Sequence, residues 1–232
     1  MCLTCNSKTF DPSRRSVLLG GLAALTAGAL PALSREPAVS PDEALKRLVE
    51  GNARYVAGER TKTDFSAGRA ALAKSQHPFA AILSCADSRV APELVFDQGP
   101  GDLFVVRVAG NFVNDDGLAS LEYAVNFLET PLIMVLGHSS CGAVDAAVKV
   151  VRDGLVLPGH LPEMIEPIRP AAEAALAQSP TDPLAAAISA NVHHAVAQLG
   201  AAEPILAGRV GNGGLRIVGA HYDLETGLVA LL

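Results

Sequence analysis

An α/β fold, with a parallel-core β-sheet flanked by helices, is the architecture this sequence predicts, and three observations carry it. Short apolar, β-prone runs recur along the chain, and each is followed by a segment with helical spacing. Parallel strands need crossovers of that kind, which are right-handed in almost every known sheet. Half of the 232 residues are hydrophobic, enough to bury one substantial core in one large domain.

The first segment stands apart from that domain. Ser13-Arg14-Arg15-Ser16-Val17-Leu18-Leu19 has the form of a twin-arginine export motif, and an apolar run over 17–33 follows it. Ala32-Leu33-Ser34 offers small residues for cleavage before Arg35. The run approaches membrane-spanning length, but its Gly and Ala content and Pro31 favour removal. Residues 1–34 are therefore expected to be a signal peptide and 35–232 a single domain. A bacterial periplasmic location and no stable membrane anchor after cleavage follow from that expectation. Cys2 and Cys5 go with the signal, so the mature chain keeps only Cys85 and Cys141.

Within the domain, Ser40 can cap a helix over 40–56, with Pro41 in its first turn and Glu43 completing a capping box. Leu45, Leu48, Val49, Ala53 and Val56 recur on its apolar face, and Gly58 can end it. A polar stretch over 59–76 carries at most a short helix near 67–74. Strands are predicted over 79–84, 103–108 and 131–136, the second continuous enough to be covered on both faces. Helices are predicted over 92–96, 117–128 and 142–151 between and after them. A Gly/Pro-rich connection leads to two Ala-rich helices, 162–177 and 183–199, the second opened by Asp182 and Pro183. Runs over 215–222 and 228–231 then read as a closing strand pair.

Two short motifs sit at strand ends. Cys85-Ala86-Asp87-Ser88-Arg89 follows the first strand, and His138-Ser139-Ser140-Cys141 follows the third. Ligands of parallel α/β sheets collect beyond the carboxyl ends of the strands, where strand order reverses. Two thiols and an imidazole there are the donor set of a three-ligand zinc site, whose open fourth position is the catalytic pattern. Cys141 would begin the next helix, where thiolate charge is favoured.

Duller readings exist for each residue. Cys85 and Cys141 could form a disulfide in an oxidising compartment. Asp87 and Arg89 could be a surface ion pair, Gln76 a loop amide, and Phe104 and Tyr123 core residues. The formal charge of −6, the lack of a dense Lys/Arg stripe, 4% aromatic content and absence of Trp argue against a nucleic-acid partner.

These motifs resemble those of the β-class carbonic anhydrases, and the resemblance spans nearly the whole mature chain, to Tyr222-Asp223-Leu224-Glu225-Thr226-Gly227. It implies a β-carbonic anhydrase-like fold whose N-terminal helical arm, the 40–56 helix, crosses to a partner. It implies Cys85, His138 and Cys141 as ligands of one Zn2+ per chain, with Asp87 and Arg89 as the catalytic dyad and Asp87 able to bind zinc in a closed form. Gln76 resembles the amide that binds bicarbonate, Phe104 and Tyr123 the substrate-pocket aromatics, and Gly142 the glycine that follows the second cysteine. The implied activity is reversible hydration of carbon dioxide to bicarbonate and a proton, by hydroxide generated at zinc and oriented by Asp87. The implied assembly is a homodimer or higher homo-oligomer with active sites at the subunit interface.

This chain has Val108 where the family often carries Asn, and it lacks the Trp of the bicarbonate-regulated subtype. Hydrolases of carbon disulfide or carbonyl sulfide resemble the same fold and site. A non-catalytic periplasmic module, zinc-binding or disulfide-stabilised, is the reading from a different class.

Overall fold

The computed structural model of the chain describes residues 39–66 and 68–232. The expected signal peptide over 1–34, with its Cys2-x-x-Cys5, and residue 67 lie outside the described residues. The first helix, α1 (Pro41–Ala57), begins where the sequence indicates: Ser40 Oγ accepts the Glu43 N–H at 3.2 Å, and Gly58 closes the helix in the left-handed region at φ 73°. The Glu43 carboxylate faces Arg47 at 3.2 Å, so α1 has a serine cap and an i,i+4 ion pair.

Then come α2 (Arg69–Leu72), β1 (Ala80–Ser84), α3 (Pro92–Val95), β2 (Leu103–Arg107), α4 (Asp115–Phe127) and β3 (Leu132–His138). The second half contains α5 (Gly142–Asp153), α6 (Leu161–Ile165), α7 (Arg169–Leu176), α8 (Pro183–Gly200), α9 (Leu206–Gly211), β4 (Arg216–Tyr222) and β5 (Val229–Leu231). The sheet order is β2-β1-β3-β4-β5, parallel except for the β4–β5 hairpin. From β1 the chain moves one way to β2, then crosses back over to β3. Strand order therefore reverses between β1 and β3, and both strands are buried along their whole length.

One face of the sheet is covered by α1 and the end of α3: Leu45, Leu48 and Phe96 share a cluster with Ile82, Met134, Leu136 and Tyr222. The other packs Leu121 and Val125 of α4 and Val192 and Leu199 of α8 on Leu83, Ile133 and Val135. A third cluster lies past the carboxyl ends of the strands, where α5, α6, α7 and α8 surround Cys85 and Cys141. Among the described residues no helix is long and apolar enough to cross a membrane.

Helix α1 packs on the sheet of its own chain through Ala44, Leu45 and Leu48. Three expectations change. β2 is an edge strand, so Phe104, Val105 and Val106 are half-buried rather than covered on both faces. The 162–177 helix is two helices, because Pro167 has no N–H to donate and Pro170 suits only a helix start. That break drives Ile168, fully buried, into the third cluster. Helix α9 has no counterpart among the expected elements; Gly208 and Gly211 weaken its pattern and only Leu206 on it is buried.

Candidate metal centre and active site

Cys85 is the first residue past β1, His138 the last residue of β3, and Cys141 the N-cap of α5. Parallel pairing of Ser84 with Leu136 brings the two strand ends together despite their distance in sequence. The two sulfurs and an imidazole nitrogen lie within 4.8 Å of one another, and all three residues are buried. The cysteines are unbonded, their sulfurs 3.9 Å apart, against ~2 Å for a disulfide.

His138 is fully buried, and its ring is set by its own neighbour: Nδ1–H donates to the Ser139 carbonyl at 2.9 Å. That hydrogen bond leaves the lone pair on Nε2, which is buried without a hydrogen-bond partner. An orphaned acceptor beside two thiols fits a metal ligand and little else. Two sulfurs each ~2.3 Å from a tetrahedral zinc would stand about 3.8 Å apart, close to the separation found. The donor set therefore fits zinc.

Backbone donors converge on Cys85. Its sulfur accepts the Gly110 N–H at 3.2 Å and the Asp87 N–H at 3.4 Å. The Cys141 thiol hydrogen bond pulls the Cys85 thiol well below its ordinary range; burial opposes this, and His138 and those N–H groups assist. The same bond and burial push Cys141 up, because one proton stays between the sulfurs until a cation replaces it.

Asp87 and Arg89 form a bidentate pair: Nε to Oδ1 at 2.9 Å and Nη2 to Oδ2 at 2.7 Å, with the Arg89 N–H also on Oδ1. Arg89 holds the Asp87 carboxyl well below the usual carboxylate range despite partial burial. Asp87 Oδ2 is 4.0 Å from His138 Nε2, at the mouth of the cluster, and both of its oxygens are taken by Arg89. The carboxylate thus sits beside the triad within a complete ion pair.

Of the remaining expected residues, Gly142 directly follows Cys141 and the others lie elsewhere on the chain. Gln76 is exposed, ahead of β1 and so at the other end of a strand rising about 17 Å to Cys85. Phe104 pairs with Ala81, four residues before Cys85, and its ring is 6.3 Å from that of Tyr123. Tyr123 is 47% exposed and stacks on Phe127 at 5.3 Å, so it is not a core residue. Gly142 opens α5, exposed, with nothing within 4 Å of where a side chain would start.

Arg107 is not among the residues expected at the site, yet its Nε donates to the Cys85 carbonyl at 3.1 Å and its Nη2 to the Asp87 carbonyl at 2.7 Å. The available signal is its place at the end of the strand beside β1, in register with Ser84. At Val108 the backbone supplies the bonding: its N–H reaches the Ser84 carbonyl and its carbonyl accepts from Ala86, both at 3.2 Å.

A carbonic anhydrase family model matches residues 80–229. Carbonic anhydrase 2 of Mycobacterium tuberculosis is 43% identical over 199 residues, 84% of this chain and 94% of that protein. The carbonic anhydrase of Mycolicibacterium smegmatis is 40% identical over 200 residues, 84% of this chain and 95% of that protein. A solved Coccomyxa β-carbonic anhydrase, in complex with acetazolamide, aligns at a TM-score of 0.65 and 30% identity over 81% of this chain and 86% of that one. Matched along nearly the whole described domain, in sequence and in fold, this chain belongs to the β-class carbonic anhydrase family of enzymes.

Proposed function

We propose that the chain catalyses the reversible hydration of carbon dioxide to bicarbonate and a proton, with one zinc ion held by Cys85, His138 and Cys141. The observation that carries this is the buried donor triad with its unpartnered Nε2, bordered by a carboxylate that Arg89 keeps ionised. Zinc, when bound, supplies the Lewis acidity that makes water a nucleophile near neutral pH.

The chain's own groups do the rest. Asp87 stays a carboxylate across the working pH range and accepts a hydrogen bond from the attacking water, directing its lone pair at the substrate carbon. Arg89 occupies both Asp87 oxygens, holding the carboxylate at the mouth and out of the ligand set. Arg107 fixes the carbonyls on either side of Ala86, so ligand and dyad keep one spacing.

Gln76, Phe104 and Tyr123 reach a site only when a second copy brings them there, which makes the enzyme a homodimer or a multiple of one. The edge strand β2 and the exposed Tyr123 and Phe127 rings, at 47% and 70%, support that assembly. Export by the twin-arginine route to the periplasm is supported by Arg14-Arg15 and the apolar run behind them. Arg14→Lys with Arg15→Lys should leave the protein uncleaved inside the cell.

The deciding experiment is stopped-flow hydration of carbon dioxide by residues 35–232, with zinc counted alongside. Fast hydration at about one zinc per chain is the expected result. Bound zinc without hydration would overturn the activity and favour a hydrolase of carbon disulfide or carbonyl sulfide. A chain that holds no zinc would overturn the metal assignment and leave the non-catalytic reading.

A further inference from the structure

We infer that Asn191 is a positioning residue for the Cys85 ligand, acting through Gly110. This rests on Cys85 being a zinc ligand, as proposed above. Helix α8 turns Ala187, Ile188, Val192, Ala195 and Leu199 inward, all buried and apolar, and Asn191 among them is only 1% exposed. A buried amide on such a face is unfavourable unless it is bonded. Asn191 makes one such bond: Nδ2 donates to the Gly110 carbonyl at 2.8 Å, while Oδ1 is buried without a partner.

Gly110 is the residue whose N–H reaches Cys85 Sγ, at 3.2 Å. It has to be glycine: φ is +86°, and a Cβ would stand 2.4 Å from Ile168 Cδ1 and 3.1 Å from Ala143 Cβ. The same freedom that lets glycine fit there leaves its backbone the least constrained of any residue. Asn191 supplies the missing constraint, anchoring the carbonyl on one side of the Gly110 α-carbon so that the N–H on the other side stays aimed at the sulfur. N–H donors to a ligating sulfur draw off charge that it would otherwise give the metal, so they set both affinity and electronic character.

The test uses residues 35–232 loaded with zinc and, in parallel, with cobalt. Asn191→Leu keeps the branched, four-heavy-atom side chain and removes the donor; Asn191→Ala serves if the bulkier leucine does not fold. Leu199→Ala, two turns along the same buried face, is the control for packing loss alone. The expected result is zinc held ~10–100-fold more weakly by the Asn191 variant in chelator competition. Its sulfur-to-cobalt charge-transfer band should shift as well, while Leu199→Ala lowers the melting temperature and changes neither reading. Unchanged affinity and spectrum in the Asn191 variant would overturn the inference, as would equal changes in Leu199→Ala. If the unaltered protein bound no zinc, the assignment of Cys85 as a ligand would fall first, and this inference with it.

Discussion

Two buried polar clusters sit at opposite ends of the sheet and differ in one respect. At Asp97, fully buried after α3, every acceptor is used: Arg54 Nε at 2.6 Å, the Thr61 hydroxyl at 2.8 Å, and the N–H groups of Thr61 and Lys62 near 3.0 Å. At Cys85, His138 and Cys141 the donors to sulfur are present, but Nε2 has no hydrogen-bond partner and the two sulfurs share a single proton. A saturated buried charge is a fastener, here holding the end of α1 and the loop after it to the α3–β2 turn. An unsaturated one is a binding site. Burial and charge are shared by both clusters, so only the partner inventory separates them.

The comparison breaks most sharply at the metal. Cys141→Ser should lose zinc and ~10³-fold or more in hydration rate together, since several kcal/mol of Lewis-acid stabilisation goes with the ion. Metal analysis beside stopped-flow hydration checks it, and an active Cys141→Ser protein would sink the ligand assignment. Asp87→Asn should separate the two readings, keeping one zinc while turnover drops ~10²–10³-fold.

At the fastener the readout is stability instead. Asp97→Asn leaves the Arg54 guanidinium without its counter-charge, and urea denaturation at pH 7 should show a loss of about 3 kcal/mol. Zinc content of the folded fraction should not change. A variant that lost zinc at unaltered stability would mean that the two clusters are not independent.

Acid sharpens the same contrast. Burial alone would raise the Asp97 pKa, but Arg54 and the Thr61 and Lys62 donors outweigh it, and the folded value lies below the ordinary one. Its contribution to stability is therefore complete above the unfolded pKa of ~4 and is lost as pH falls toward the lower folded value. The gap between wild type and Asp97→Asn should shrink by about 1 kcal/mol between pH 7 and pH 3. The smallest effect is expected at Arg107→Gln, about tenfold in turnover with zinc retained, because the backbone around Cys85 keeps its other hydrogen bonds.

Much of this was legible in the sequence. Ser40 and Asp182 are residues that cap helices, and each accepts the N–H three positions on, whereas the Asn114 cap of α4 was not read from the sequence. The ligand motifs stood out because their residue types are rare in this chain and fall just past apolar runs. What stayed hidden depended on contacts distant in sequence. Asn52 bonds Val95, Gly227 and Val229, and Asn191 bonds Gly110 from 81 positions away, yet neither carries a local pattern. The arm's docking on its own sheet was hidden for another reason: the periodicity of α1 shows an apolar face without saying which surface covers it.

Local chemistry thus determined the helix starts, the strand runs and the identity of the donors, because caps, periodicity and ligand type act over a few residues. Only the tertiary structure decided that strand order reverses between β1 and β3. That reversal places Cys85 beside His138 and Cys141, leaves β2 as an exposed edge, and sets Gln76 at the far end of β1. The physical reason is that sheet order is chosen by which apolar faces the crossovers can bury together, a property of the assembled layers that no single segment carries.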